Sequence, residues 1–100
     1  MTRGTTPTHT FKLPVSKEKI KNLRLTYKQK DKVLLNKMLS DITLDGSNGS
    51  ITLTQQETLK FEADSNAYFQ LRILTTDNKV FASKAQSVWV EDTFNEEVLV

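Results

Sequence analysis

A-Y-F-Q-L-R-I-L-T, residues 67–75, alternates without a break. Phe69, Leu71 and Ile73 make one face, and Tyr68, Gln70, Arg72 and Leu74 make the other. Successive side chains of a strand point to opposite sides of a sheet, so this period of two predicts a strand with one buried face. Downstream, Thr76-Asp77-Asn78-Lys79 reads as a hairpin turn with Asp77-Asn78 at its centre, because Asp and Asn tolerate positive φ. The chain then returns through Val80, Phe81 and Ala82, and again through Val88, Trp89 and Val90. Between those runs, S-K-A-Q-S at residues 83–87 predicts a bulge or a change of sheet. Trp89 is a candidate core anchor.

Upstream lies the one departure from strand-like patterning, L-T-Q-Q-E-T-L-K-F at residues 53–61. Thr54 and Glu57 have capping-box spacing, in which each side chain bonds the other residue's backbone N–H. A helix of at most about two turns is predicted here, because A-D-S-N follows at residues 63–66. Leu59 and Phe61 are spaced to reach the core. Thr58 stands where a hydrophobic staple residue would be, so the staple is incomplete.

Further upstream, Leu23, Leu25 and Tyr27 alternate with Arg24, Thr26 and Lys28, a strand with one wet face. Lys30-Asp31 supplies a tight reversal into Lys32–Met38, where the doublet Leu34-Leu35 leaves the register ambiguous. Ile42 and Leu44 suggest a short strand. D-G-S-N-G-S at residues 45–50 reads as a turn, with Asn48-Gly49 as turn chemistry, and Ile51 and Leu53 as a brief strand after it. Phe11, Leu13 and Val15 form a short alternation ending near Pro14, which suits an edge strand. About seven short strands, two hairpins, one short helical turn and no long helix predict an all-β fold. The expected architecture is an immunoglobulin-like antiparallel β-sandwich, with a small barrel as the alternative. The helical turn would carry the chain across the sandwich between its fifth and sixth strands by immunoglobulin lettering, E to F. One domain is expected over residues 9–92. Residues 1–8 read as a flexible tail, and residues 93–100 as a C-terminal tail or short edge strand.

Composition narrows the chemistry. With no cysteine, the chain has no disulfide, thiol nucleophile or cysteine–zinc site. His9 is the single histidine, which is too few for a histidine-based zinc site, and its position at the edge of the tail reads as a solvated or strand-starting residue. Asp41, Asp45 and Asn48 surround a glycine-containing loop but lack calcium-loop spacing. Glu57, Glu62 and Asp64 suggest no catalytic cleft. No catalytic, cofactor-binding or metal-ligating residue is assigned. Neither an apolar leader nor a run of membrane-spanning length is evident, so no membrane partner is expected.

Charge is the most uneven property. Residues 1–37 hold ten Lys or Arg and two acids, whereas residues 38–100 hold four bases and ten acids. Kept on separate faces, these would make a dipolar particle suited to head-to-tail contacts. Arg24, Lys28, Lys30 and Lys32 are candidate partner-binding residues on that basis. Val98, Leu99 and Val100 are candidates to add to a neighbour's sheet or groove, against the plainer reading of a frayed end. A nucleic-acid reader would show exposed aromatics among its bases, whereas Tyr27 is expected on the apolar face. The lysines also read as guards of a sheet edge.

F-K-L-P-V, I-K-N-L-R-L-T-Y-K-Q, L-T-Q-Q-E-T-L-K-F, F-Q-L-R-I-L-T-T-D-N-K-V-F-A-S and V-W-V-E-D carry a resemblance. Together they resemble a group of small proteins encoded among the virion-structure genes of prophages in Gram-positive bacteria. The likeness runs over residues 9–92. It implies a non-enzymatic structural or interaction subunit of a phage or prophage particle with a β-sandwich fold. Its partners would be other phage structural proteins or further copies of itself. It would reside in the host cytoplasm during assembly, with the virion as the further candidate location. A nucleic-acid-binding accessory domain using the basic N-terminal half is the alternative.

Overall fold

The computed structural model describes residues 1–100. The strand predicted at residues 67–75 forms as β6, Ser65–Thr75, and the sandwich is built around it. Its inward residues Ala67, Phe69, Leu71, Ile73 and Thr75 are all buried. On one side β6 pairs antiparallel with β2, Ile20–Gln29, which pairs onward with β3, Lys32–Met38. On the other side β6 pairs first with β7, Val80–Ala82, and then with β8, Gln86–Val90. β7 and β8 run along the same edge of β6, so together they act as one interrupted strand.

The second sheet has three strands in the order β1, β5, β4. These are β1 (Thr8–Lys12), β4 (Thr43–Asp45) and β5 (Asn48–Thr52). In immunoglobulin terms, β1, β5 and β4 follow the B-E-D order, and β3, β2, β6 and β7/β8 follow C′-C-F-G. The chain is therefore an all-β, immunoglobulin-like antiparallel sandwich. With β7 and β8 joined, its eight strands make seven rails.

Local chemistry explains each turn. Lys30 and Asp31 take φ of 51° and 63°, the double left-handed geometry of a two-residue hairpin that matches strand twist. One strand further, Tyr27 pairs with Leu35 while Lys28 pairs with Val33. Leu34 is thus the extra residue of a bulge, which settles the ambiguous doublet: Leu35 points into the core and Val33 outward. Between β7 and β8 the ladder breaks at residues 83–85. There the Ser83 hydroxyl accepts from the Leu71 N–H at 3.0 Å, in place of a strand carbonyl. A bulge, not a change of sheet, separates the two pieces.

The helical turn α1, Gln55–Thr58, spans a single turn and carries the chain from β5 to β6, and so from one sheet to the other. Its capping box forms in full: the Glu57 N–H donates to Thr54 Oγ1 at 3.1 Å, and the Thr54 N–H donates to Glu57 Oε1 at 2.9 Å. Thr58 is buried with its hydroxyl satisfied. Phe61 is buried and Leu59 half-buried.

Several expectations are corrected. Asn48 and Gly49 lie in β5, and the β4–β5 turn is made by Gly46 and Ser47, with Gly46 at φ 58°. Gly49 is required for closeness instead, since its face is covered by the Phe11 ring. Trp89 is no core anchor: it is 49% exposed, and Val90 is the buried residue of that strand. Alternation along β8 puts Val88 and Val90 inward, so Trp89 must face out. Residues 39–41 form a 3-10 turn ahead of β4, closed by Asp41 accepting from the Met38 N–H.

Residues 1–8, read as a flexible tail, are fastened. Thr2 bridges Glu91 in parallel, and the Met1 ammonium donates to the Trp89 carbonyl at 2.8 Å. The Arg3 guanidinium reaches the carbonyls of Phe61 at 2.7 Å and Leu59 at 3.1 Å, and pairs with Asp92 and Glu96. A polar, Thr-rich segment carries no hydrophobic signal for docking, because backbone and guanidinium bonds do the fastening.

The core between the sheets replaces covalent stapling with rings. Antibody domains join strands B and F by a disulfide packed on a strand-C tryptophan. Here His9 of β1 stacks on Phe69 of β6, with ring centroids 5.8 Å apart and planes 3° apart. Tyr27 of β2 packs against Phe69 at 5.3 Å and edge-on against Phe61 at 6.0 Å.

Candidate protein-interaction face

The five strands β2, β3, β6, β7 and β8 contain Lys21, Arg24, Lys28, Lys32, Lys37 and Arg72, and not one Asp or Glu. The charge imbalance along the chain is therefore also an imbalance in space. Register then decides which of these groups meet. Across the outer face, Arg24 lies opposite Arg72, Thr26 opposite Gln70, and Lys28 opposite Tyr68. Beyond them, Tyr68 lies opposite Ser87, and Asn66 opposite Trp89. Tyr68 and Trp89 are diagonal neighbours, a spacing of roughly 7–8 Å that long side chains can bridge. They are 47% and 49% exposed. Met38 and Val33 extend the same face across β3 and are about half exposed.

A groove of about 340 Å³ opens in this face beside the β7–β8 bulge. Thr26, Lys28, Tyr68, Gln70 and Ala85 line it, with Asp31 at one end. Ala85 is small, and the ladder is interrupted beside it, so the space is not filled from within. Arg24, Lys28 and Arg72 have no carboxylate partner. Arg24 instead donates to Asn22 Oδ1 and to the Leu23 carbonyl, both at 2.8 Å.

Of the residues singled out by sequence, Arg24 and Lys28 are brought together here. Lys30 sits on the hairpin tip, ion-paired with Glu62 at 2.6 Å, and holds that carboxyl below its ordinary range. Lys32 lies beside that tip. Val98, Leu99 and Val100 stand elsewhere, next to α1, and form no strand. The backbone of Leu99 is bonded both ways by the Gln55 side-chain amide, at 3.0 and 2.8 Å. The aromatic half of the face, Tyr68 and Trp89, and its third cation, Arg72, were not grouped with Arg24 and Lys28 by sequence reasoning. The alternation had placed Tyr68 and Arg72 on one side of their strand. Only the pairing of β6 with β2 joins the two sets.

The remaining polar clusters are structural. His9 Nδ1 and the Tyr27 hydroxyl share a 2.6 Å hydrogen bond between the sheets. Burial, with a smaller contribution from the N-terminal ammonium, pushes His9 below its ordinary value, and burial pushes the Tyr27 hydroxyl up. Burial works to raise Glu57, but Lys37 and the Thr54 N–H outweigh it and leave the carboxyl low. Gln29 is 3% exposed and fully used: its amide donates to the Glu62 carbonyl and to Ser65 Oγ, and accepts from the Glu62 N–H. Asn48 accepts from Lys12. No three His, Cys, Asp or Glu side chains gather into a metal-binding group, and no helix is long and apolar enough to cross a membrane.

Fold and face together define an immunoglobulin-like sandwich that presents a basic, aromatic sheet surface. No family model, curated protein or solved structure matches the chain.

Proposed function

We propose that this chain is a non-enzymatic structural subunit of a phage or prophage particle that works through protein–protein contacts on the outer face of its five-stranded sheet. The observation that carries the contact surface is the exposed set Tyr68, Trp89, Met38 and Arg72, with the half-buried Arg24 among them, on one sheet. Aromatics, Met and Arg are the residue types enriched in interface cores, where a few anchors supply most of the binding energy. The particle context rests on the likeness of the quoted segments to products of virion-structure genes. On that reading the chain works in the host cytoplasm during particle assembly.

Co-expression with the products of neighbouring genes tests both parts. The expected result is a stable complex with a head, neck or tail component. That complex should be lost in Tyr68→Ala/Trp89→Ala with the melting temperature unchanged, since both side chains face out. A double variant that keeps its partner would remove this face from the proposal. A locus without any portal, capsid or tail gene would remove the particle context.

A second reading draws on the placement of Tyr68 beside Lys28. Bases stack on exposed aromatics while cations track the backbone, as single-strand binders require. It predicts a rise in anisotropy of labelled single-stranded oligonucleotides at low salt, falling steeply as salt increases. A flat titration at low salt ends that reading.

A further inference from the structure

The groove at Lys28 and Tyr68 has a complement in the same chain. Phe94 is fully exposed and lies in E-D-T-F-N-E-E, residues 91–97. An aromatic ring standing free in water within an acidic segment is the inverse of an empty groove on a sheet whose strands carry cations and no carboxylate, with Asp31 of the hairpin tip as the one acid at the groove's end. Glu91 and Glu97 have no ion-pair partner, and neither have Arg24, Lys28 and Arg72. The segment cannot turn freely to its own groove, because it is tied down. Arg3 holds Asp92 at 2.8 Å and Glu96 at 2.7 Å, and Gln55 holds the backbone at Leu99. These ties present Phe94 outward in a preset conformation, which lowers the ordering cost of binding.

We propose that the C-terminal segment of one copy docks on the sheet face of a second copy, with Phe94 in the groove between Lys28 and Tyr68, and Glu91 and Glu97 against its cations. The inference rests on reading this face as protein-binding and names the occupant. The two patches differ, so the contact pairs the tail of one copy with the face of another; used reciprocally it closes a dimer, and used in series it propagates to a ring or a filament.

Sedimentation of the purified chain over a concentration series tests this, with the protein measured before and after nuclease treatment. Wild type is expected to self-associate, more strongly at low salt. A face variant, Lys28→Glu/Tyr68→Ala, and a tail variant, Phe94→Ala/Glu97→Lys, should each weaken association by about tenfold or more, as loss of a single anchor does. All four side chains are exposed, so thermal melts of both variants should match wild type. Mixed in equal amounts, the two variants should form a 1:1 complex that grows no further, since one intact tail and one intact face remain. A strictly monomeric wild type, a mixture that fails to complement, or a tail variant that associates normally overturns the proposal. So does association that disappears on nuclease treatment, which would assign the face to nucleic acid. If wild type stays monomeric yet captures a neighbouring gene product through Tyr68 and Trp89, the self-docking inference alone has failed. If Tyr68→Ala/Trp89→Ala loses nothing, the underlying reading of the face has failed as well.

Discussion

Gly49 and His9 carry the most information per residue. A Cβ at Gly49 would enter the Phe11 ring, which is itself core. Gly49→Ala is expected to cost about 1–3 kcal/mol through overpacking. A thermal melt should register a fall of several degrees, at roughly 4–8 °C per kcal/mol for a chain of this size. An unchanged melt would mean that Phe11 has room to move. His9 governs acid sensitivity. Its folded value lies below the ordinary 6.5, because burial disfavours the imidazolium. The folded protein then binds this proton more weakly than the unfolded chain. Its contribution to stability is complete above pH 6.5 and is lost as pH falls through the folded value. Urea midpoints measured between about pH 7.5 and 5.5, above the carboxylate range, should fall in wild type and stay nearly flat in His9→Gln. A wild-type midpoint that does not change in that window would show the ring to be free to protonate.

At the scale of elements, α1 is a corner held by its cap. Four residues make too few backbone bonds to persist alone, since an isolated helix needs about 12–15 residues. The reciprocal bonds of Thr54 and Glu57 and the burial of Thr58 and Phe61 supply what the helix lacks. Thr54→Ala is expected to lower stability by about 1 kcal/mol, read as a lower urea midpoint, with binding through the outer sheet face intact. Lost binding at unchanged stability would instead make the corner part of the interface. The capping box was legible in the sequence because it depends on a spacing of three. The Asn48-Gly49 turn was misread because a glycine required for close packing and a glycine required for positive φ look alike in one dimension. The Leu34-Leu35 doublet and S-K-A-Q-S both announced irregularity. Their outcomes, two bulges, depend on which residues of the neighbouring strand they meet across a hairpin.

For the whole molecule, the N-terminus is the strap that joins the two ends of the chain. Arg3 binds the carbonyls of residues 59 and 61 and two acids of the C-terminal segment at once. Arg3→Ala is expected to release this strap without unfolding the sandwich. Hydrogen exchange should then show lost protection at the Glu91 N–H, which donates to the Met1 carbonyl, while amides of β2 and β6 keep theirs. Exchange that accelerates equally throughout would instead make the strap part of the global fold. The same release would free the Phe94 segment, which connects the strap to the head-to-tail contact.

Alternation and turn chemistry determined the strands, the hairpins and the sandwich class, because side-chain period and local φ preferences are properties of neighbouring residues. Tyr27 was placed inward and Arg24 and Lys28 outward on that basis alone. The tertiary structure decided which outward rows lie side by side. Arg24 meets Arg72, and Lys28 meets Tyr68, only because β2 pairs with β6 in one register. It also turned Trp89 to solvent, drew His9 between the sheets and fastened residues thought mobile. Each of these outcomes is a contact between segments far apart in the chain. Such contacts are set by the packing of whole sheets, and no local pattern encodes them.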